Sequence, residues 1–412
     1  MERKNPVITS PEAIDEALTR GVVEVLPSRD GLRKLMQSGK QLKLYQGFDP
    51  TAPKLHIGSM VGLRKLRQFQ DLGHEVIFLI GDGTGQAGDP SGKLRARDRY
   101  FTHKELLANA RAYKKQVSKI LRFTGENPVK MLFNGKWLNP LRLVDILDIA
   151  GNFTLQQLSE RDLFQERMKR GEAVNLREFL YPLLQGYDSV AMEVDLEIGG
   201  HDQLFNMLTG RVLSKRMLGK EKFVLATPLL TDAQGQKIGK SENNAIWLTD
   251  EPNDMYGKIM SLSDDTIVKG FEYLTDVPMD EVREIEKKII VENPKPYKER
   301  LAFEIVAQLH GIPAAKKASA AFREVFSQRE IPDDIEEVPV AAGVPFDDAL
   351  YQYRIVSSKS EARRLMMGGG VKDISTGEKI TDPKRKITIP LTLKLGKHRF
   401  IKIVIKRVPK RK

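Results

Sequence analysis

Two short apolar runs separated by an amphipathic stretch constrain this chain more than any other feature. Leu42–Phe48 is a strand candidate, and residues 58–73 follow with Leu63, Leu66, Phe69 and Leu72 spaced three apart among polar groups, the spacing of one helix face. Gly73 closes that stretch, and Glu75–Ile80 (EVIFLI) is nearly all apolar. This strand–helix–strand order predicts a βαβ unit, and with it a parallel sheet with a right-handed crossover.

The pattern extends along the chain. Ser10 and Pro11 are an N-cap and a first helical residue. Thr102 and Glu105 have capping-box spacing, and Leu106, Ala110, Tyr113, Val117 and Leu121 mark one face of a long helix. Helices are expected at 140–149, 154–170, 176–186 and 202–217, with strands at Val194–Ile198 and Val224–Leu230 and a turn at Asp232–Gly235. From about 253 to 328 the chain is helical and poor in glycine, and the acidic, proline-containing Glu330–Pro345 reads as a hinge. A short helix at 359–367, the triple Gly368–Gly370 and β-like runs at 387–393 and 400–405 complete it. A length of 412 residues suits two or three domains. The boundaries expected are 1–250, with a helical insertion at about 100–190, then 251–335, a linker at 336–345, and 346–412.

Composition narrows the function classes. There is no cysteine, which excludes disulfides, thiolate chemistry and cysteine-ligated metals. The start, MERKNPVITSPEAID, lacks a signal-like apolar run, and Glu2, Glu12 and Asp15 count against a transit peptide. No apolar stretch approaches the ~20 residues that span a bilayer, so the expectation is a cytoplasmic protein without a membrane partner. Residues 351–412 hold 18 Lys or Arg against 4 Asp or Glu, whereas the preceding 350 residues hold 49 against 51. A near-neutral body with a basic C-terminal module points to a polyanion held by that module; a merely solubilising tail is the plainer reading.

Three constellations carry the chemistry. Tyr45-Gln-Gly-Phe-Asp-Pro-Thr51 ends a strand and Leu55-His56-Ile57-Gly58 enters a helix, the place where open α/β sheets bind ligands. Gly58 lets a ligand approach the helix N-terminus, and Thr51 and His56 can donate to phosphate oxygens there. A histidine alone is more often a structural residue or a cap. Next, Tyr181, Gln185 and Asp188 share one helix face, fit either to line a pocket for a zwitterionic aromatic ligand or to tie two helices together. Gly199 and Gly200 then end a strand before Asp202 and Gln203, which suits close approach of a ribose. Third, Lys237-Ile-Gly-Lys240-Ser241 follows a turn, and such a basic loop can close over polyphosphate or remain a solvated surface loop. One motif misleads. Gly83-Thr-Gly85-Gln-Ala-Gly88 matches G-x-G-x-x-G, but it follows the second strand of the unit, and Asp89-Pro90-Ser91-Gly92 is a turn that blocks the required helix. No P-loop motif is present.

In this order the motifs resemble those of the bacterial tyrosyl-tRNA synthetases, class I aminoacyl-tRNA synthetases, nearly end to end. The HIGH signature stands as His56-Ile-Gly-Ser59 and KMSKS as Lys237-Ile-Gly-Lys240-Ser241, with GFDPTA at 47–52, GDPSG at 88–92, YPLLQGYD at 181–188 and IGGHDQ at 198–203. The resemblance implies a Rossmann-like, doubly wound parallel α/β fold, a helical middle domain that contacts tRNA, and a small α+β S4-like C-terminal domain. It implies that Tyr45 and Asp188 read a phenol, that Asp89, Tyr181 and Gln185 hold the substrate ammonium, and that Asp49 lies beside the reacting groups. Gly47, Gly58, Ser59, Gly199, Asp202 and Gln203 then surround the nucleotide and its ribose, with Gln203 also part of the tyrosine site. Thr51 and His56 hold the pyrophosphate end of ATP, and Lys93, Arg97, Lys237 and Lys240 engage its developing charge. The signature from Val356 to Leu365 and Gly369-Gly370-Val371 implies an RNA surface presenting Lys359, Arg363, Arg364, Lys384, Arg385, Lys386 and Arg399.

The implied partners are L-tyrosine, ATP as substrate with Mg²⁺, and tRNA(Tyr), with no tightly bound cofactor or resident protein metal site, in a homodimer formed through the helical insertion. Three departures stand out: Ser59 replaces the second histidine of HIGH, Gln46 stands where one branch has a small side chain, and Ile-Gly separates the loop lysines. The alternatives are a tryptophanyl-tRNA synthetase, which has no need of a phenol-reading pair, an RNA-binding or splicing protein with a vestigial synthetase body, and a nucleotidyltransferase that charges no RNA.

Overall fold

The computed structural model describes residues 6–91, 99–160, 162–231, 235, 238, 245–329, 335–374, 378–396 and 399–406, with backbone alone at 162, 163 and 325–329. The chain forms two compact units, Met1–Ser319 and Ala320–Lys412.

The first unit is built on a six-stranded sheet: β1 (Glu24–Leu26), β2 (Lys43–Phe48), β3 (Glu75–Ile80), β4 (Lys130–Phe133), β5 (Leu196–Gly200) and β6 (Phe223–Thr227), in the order β1-β6-β5-β2-β3-β4. Strands β2 to β6 pair in parallel, as expected of the doubly wound fold, while β1 runs antiparallel on β6. The chain builds outward from β2 through β3 to β4, then returns to lay β5 on the other side of β2. The topological switch point therefore falls between β2 and β5, with Tyr45 directly opposite Glu197.

The expected βαβ unit is β2, the Ile57–Asp71 helix and β3; Met60, Leu63, Leu66 and Phe69 of that helix are fully buried. Helices Leu176–Ala191 and Leu204–Leu218 cross closely: a Cβ on Gly186 would lie 3.0 Å from the Gly210 backbone nitrogen. The long helix expected after Thr102 is instead two pieces, His103–Ala110 and Tyr113–Val117. Tertiary bonds account for the second piece: the Tyr113 hydroxyl donates to the Ala52 carbonyl, and Gln116 bonds to the backbones of Pro53 and Leu55. That piece thus props the loop after β2. The 154–170 stretch is likewise two helices, Leu155–Ser159 and Asp162–Lys169. Helices then follow from Pro252 to Arg329.

The second unit holds a four-stranded sheet, β7 (Glu336–Ala341), β8 (Val371–Asp373), β9 (Leu391–Leu395) and β10 (Arg399–Lys406), in the order β7-β10-β9-β8, with helices Phe346–Gln352 and Lys359–Met367. Val338, Val340, Phe346, Leu350, Met366, Leu393, Ile401 and Ile403 form its core. The linker expected at 336–345 is corrected here, because residues 336–341 are a strand parallel to β10. Val338 and Val340 point inward while Glu336, Glu337 and Pro339 are exposed. An edge strand tolerates a proline, which has no N–H to donate to a further neighbour. Among the described residues no helix is long and apolar enough to cross a membrane.

Candidate active site

A cavity of about 800 Å³ opens at the carboxyl ends of β2 and β5, lined by Tyr45, Gly47, Asp49, Thr51, His56, Gly58, Ser59, Asp89, Tyr181, Gln185, Asp188, Gly199, Asp202 and Gln203. Fourteen residues singled out in the sequence from four separate stretches thus meet in one place. Lys93, Arg97, Lys237 and Lys240 lie outside the described residues. Ile238, the residue after the first loop lysine, also lines the cavity.

At the closed end, Tyr45 is fully buried and its hydroxyl lies 3.0 Å from Ser189 Oγ. Asp188 is 2% exposed; its Oδ1 accepts from Trp137 Nε1 at 2.8 Å and its Oδ2 from Asn134 Nδ2 at 3.0 Å. Asn134 is itself fixed, because its Oδ1 accepts from the Gly83 N–H at 2.7 Å and its Nδ2 also reaches Thr84 Oγ1. Burial pushes the Asp188 carboxyl well above the usual carboxylate range, against the opposing pull of the Asn134 and Trp137 bonds. Burial, with neighbouring carboxylates, also raises the Tyr45 and Tyr181 phenols, so both remain protonated donors at neutral pH.

Next along the cavity, the Tyr181 hydroxyl donates to Asp49 Oδ2 at 3.0 Å and Thr84 Oγ1 donates to Asp49 Oδ1 at 2.7 Å. Gly81 leaves room for this carboxylate, since a Cβ there would lie 1.9 Å from Asp49 Oδ1. Gln203 Nε2 and the Ser91 N–H donate to the two oxygens of Asp89 at 2.9 and 2.8 Å. The turn His201–Gln203 precedes the Leu204–Leu218 helix and brings Asp202 to the cavity. Gln46 is accommodated by Gly62, where a Cβ would lie 2.1 Å from Gln46 Oε1.

At the open end His56 is the N-cap residue of the Ile57–Asp71 helix. The Ile57 N–H donates to the Ile246 carbonyl at 2.7 Å and the Leu248 N–H to the Leu55 carbonyl at 2.9 Å, so residues 246–248 are strapped antiparallel to the His56 turn. The Trp247 ring meets the His56 ring edge-on at 6.3 Å. Within the lysine motif, the Ile238 N–H donates to the Leu230 carbonyl, and the Ile238 carbonyl would lie 3.2 Å from a Cβ on Gly58. The G-x-G-x-x-G stretch forms only a single helical turn, Thr84–Ala87, ended by Gly88 at φ +85°. It therefore lacks the long helix on which a dinucleotide fingerprint depends.

The basic residues proposed for RNA lie in the second unit. Arg363 and Lys384 both bind the fully buried Asp347, at 2.8 and 3.1 Å. Burial works to raise that carboxyl, but these two partners outweigh it and hold it below its ordinary value. Lys359 pairs with Asp348, Arg385 with Glu378, and Arg399 with Glu336 and the Ile355 carbonyl, while Arg364 and Lys386 are exposed.

Sequence reasoning missed Asn134, Trp137, Ser189, Glu197 and Thr84. Asn134 and Trp137 follow the four-residue β4, too short to be read as a strand. For Glu197 a signal existed: it is a charged residue inside an otherwise apolar strand end. Among the described residues no group of three or more His, Asp or Glu side chains is placed to hold a metal ion.

Known proteins are similar to this chain over most of its length. Residues 37–327 match the family model described as tRNA synthetases class I (W and Y). The chain is 40% identical over 410 residues to a tyrosine–tRNA ligase of Carboxydothermus hydrogenoformans, covering 95% of this chain and 98% of that one. It is 42% identical over 393 residues to the tyrosine–tRNA ligase of Methylococcus capsulatus, covering 94% and 97%. A C-terminally truncated mitochondrial tyrosyl-tRNA synthetase from Aspergillus nidulans superposes with a TM-score of 0.64 at 25% identity, covering 76% of this chain and 94% of that one.

Proposed function

The chain belongs to the class I tRNA synthetases of the tryptophan and tyrosine branch, and from that premise we propose the course of its reaction. It joins tyrosine to tRNA. The tyrosine carboxylate attacks the α-phosphorus of ATP, tyrosyl-adenylate forms and pyrophosphate leaves; a terminal ribose hydroxyl of tRNA(Tyr) then attacks the activated carbonyl. The attacking carboxylate is already anionic, so the protein supplies position and charge rather than a nucleophile.

Tyr45 and Asp188 read the phenol at the closed end of the cavity. Asp89, Tyr181 and Gln185 hold the ammonium, and Asp49 sits beside the reacting groups. Gly47, Gly58, Ser59, Gly199, Asp202 and Gln203 receive the nucleoside. Thr51 and His56 take the departing phosphates together with Lys93, Arg97, Lys237 and Lys240. Mg²⁺ accompanies ATP, bound through the phosphates rather than by a dedicated protein cage. What carries this reading is one observation: the phenol-reading pair and the HIGH turn line the same cavity.

Amino-acid-dependent exchange of pyrophosphate into ATP, followed by charging of a tRNA panel, tests it. Exchange with tyrosine but not tryptophan, and charging of tRNA(Tyr) alone, is the expected result. Exchange driven by tryptophan, or none at all, contradicts it.

The basic second unit is an S4-like domain that binds tRNA through phosphate contacts, so binding weakens with salt; the helices from Pro252 to Arg329 contact the same tRNA. The protein acts in the cytoplasm as a homodimer. Its interface is the helical insertion, where Leu143, Val144 and Leu147 of one helix stand 72%, 51% and 60% exposed. Sedimentation equilibrium is expected to give a particle of two chains, and of one chain for Leu147→Glu; a monomeric parent protein contradicts the assignment.

A further inference from the structure

In the cavity wall and just behind it lies a buried ion pair that the reaction does not itself require. Lys222 is 0% exposed and Glu197 1% exposed. The Lys222 ammonium binds Glu197 Oε2, donates to Ser189 Oγ at 2.7 Å and to the Met207 carbonyl at 3.1 Å, and sits 6.0 Å from the centre of the Tyr45 ring. Room is made for it: a Cβ on Gly210 would lie 2.5 Å from Lys222 Nζ and 2.8 Å from Ser189 Oγ. The other Glu197 oxygen, Oε1, accepts from Gln185 Nε2 at 2.9 Å. Glu197 and Gln185 both line the cavity, whereas Lys222 stands behind them.

Stability alone does not account for such a pair, because removing two charges from water consumes most of their mutual attraction. Its chemistry is directional. A carboxylate accepts hydrogen bonds and never donates them, so the group Gln185 turns toward Glu197 must be its NH₂. The Gln185 carbonyl oxygen is then directed away from Glu197, and an acceptor is what an ammonium needs. Lys222 neutralises Glu197, so that this second carboxylate does its orienting without adding net charge beneath the pocket. The same ammonium holds Ser189, the partner of the Tyr45 hydroxyl.

We infer that Glu197 and Lys222 are positioning residues of the tyrosine subsite, fixing the Gln185 amide so that its oxygen faces the substrate ammonium. The inference rests on the tyrosine reading above, whose own failure appears separately, as absent tyrosine-dependent exchange in the parent protein.

Two variants test it. Glu197→Asp keeps a charge for Lys222 but withdraws the oxygen from Gln185. Glu197→Gln combined with Lys222→Met removes both charges and leaves an amide that pairs with Gln185 either way round. In each, the KM for tyrosine is expected to rise about tenfold, the loss of one hydrogen bond to a charged group, while kcat at saturating tyrosine and the KM for ATP hold. The decisive probe is 3-(4-hydroxyphenyl)propionate, which keeps the phenol and carboxylate but lacks the ammonium. Its inhibition constant is expected to be unchanged in Glu197→Asp, where Lys222 still holds Ser189 beneath the Tyr45 hydroxyl. Equal weakening of tyrosine and this analogue marks a merely structural pair and overturns the inference, as does an unchanged tyrosine KM in folded variants. If the doubly neutral variant fails to fold, Glu197→Asp reads the same contrast.

Discussion

In Asp188→Ala, the preference for tyrosine over phenylalanine is expected to fall by at least about a hundredfold, measured as the ratio of kcat/KM values in ATP–pyrophosphate exchange. A site built to bond a substrate hydroxyl rejects the analogue lacking it by about 10⁴–10⁵, because the polar groups are otherwise stranded. Asp188 is suited to such discrimination, since it is buried and Trp137 and Asn134 hold its two oxygens from behind. Phenylalanine would cover that carboxyl without offering it a donor. In the alanine variant the penalty disappears and tyrosine loses its partner, so both changes act on the ratio in the same direction. An unchanged ratio removes Asp188 from the phenol site.

His56→Ala is expected to lower kcat for adenylate formation by about 10²-fold, the loss produced by removing one donor aimed at developing charge, and to leave the KM for tyrosine unchanged. The separation follows from position. Tyr45 and Asp188 stand at the closed end of the cavity, whereas His56 is the N-cap residue of the helix at its open end, where its neighbours Ile57 and Leu55 make backbone bonds to Ile246 and Leu248. A residue that acts on the departing phosphates contributes in the transition state and little to ground-state tyrosine binding. Equal losses in tyrosine affinity and turnover contradict that role.

Much of this was legible in the sequence because it is local. The Leu63, Leu66, Phe69 spacing and the EVIFLI run define the βαβ unit without knowledge of the rest, and the Thr102–Glu105 cap forms where its spacing put it. What stayed hidden depends on distant partners. Strand β1, three residues long, takes its identity from pairing with β6, and β7 from pairing with β10; the acidic, proline-bearing composition of β7 read as a hinge because its role comes from its edge position. At the site, the residues proposed to touch substrate sit in recognisable motifs, while those that hold them in place do not. Asn134, Trp137 and Lys222 reach the cavity's supporting network from elsewhere in the chain, and only tertiary folding brings them to Asp188 and Glu197.

The most direct test of the account is a crystal structure of the full chain with a non-hydrolysable tyrosyl-adenylate analogue. The phenol oxygen is expected within hydrogen-bond distance of Tyr45 and Asp188, the ammonium at Asp89, Tyr181 and Gln185, and the ribose beside Gly199 and Asp202, with the phosphate mimic directed toward the His56 turn. An analogue bound with its phenol away from Asp188, or bound outside this cavity, contradicts it.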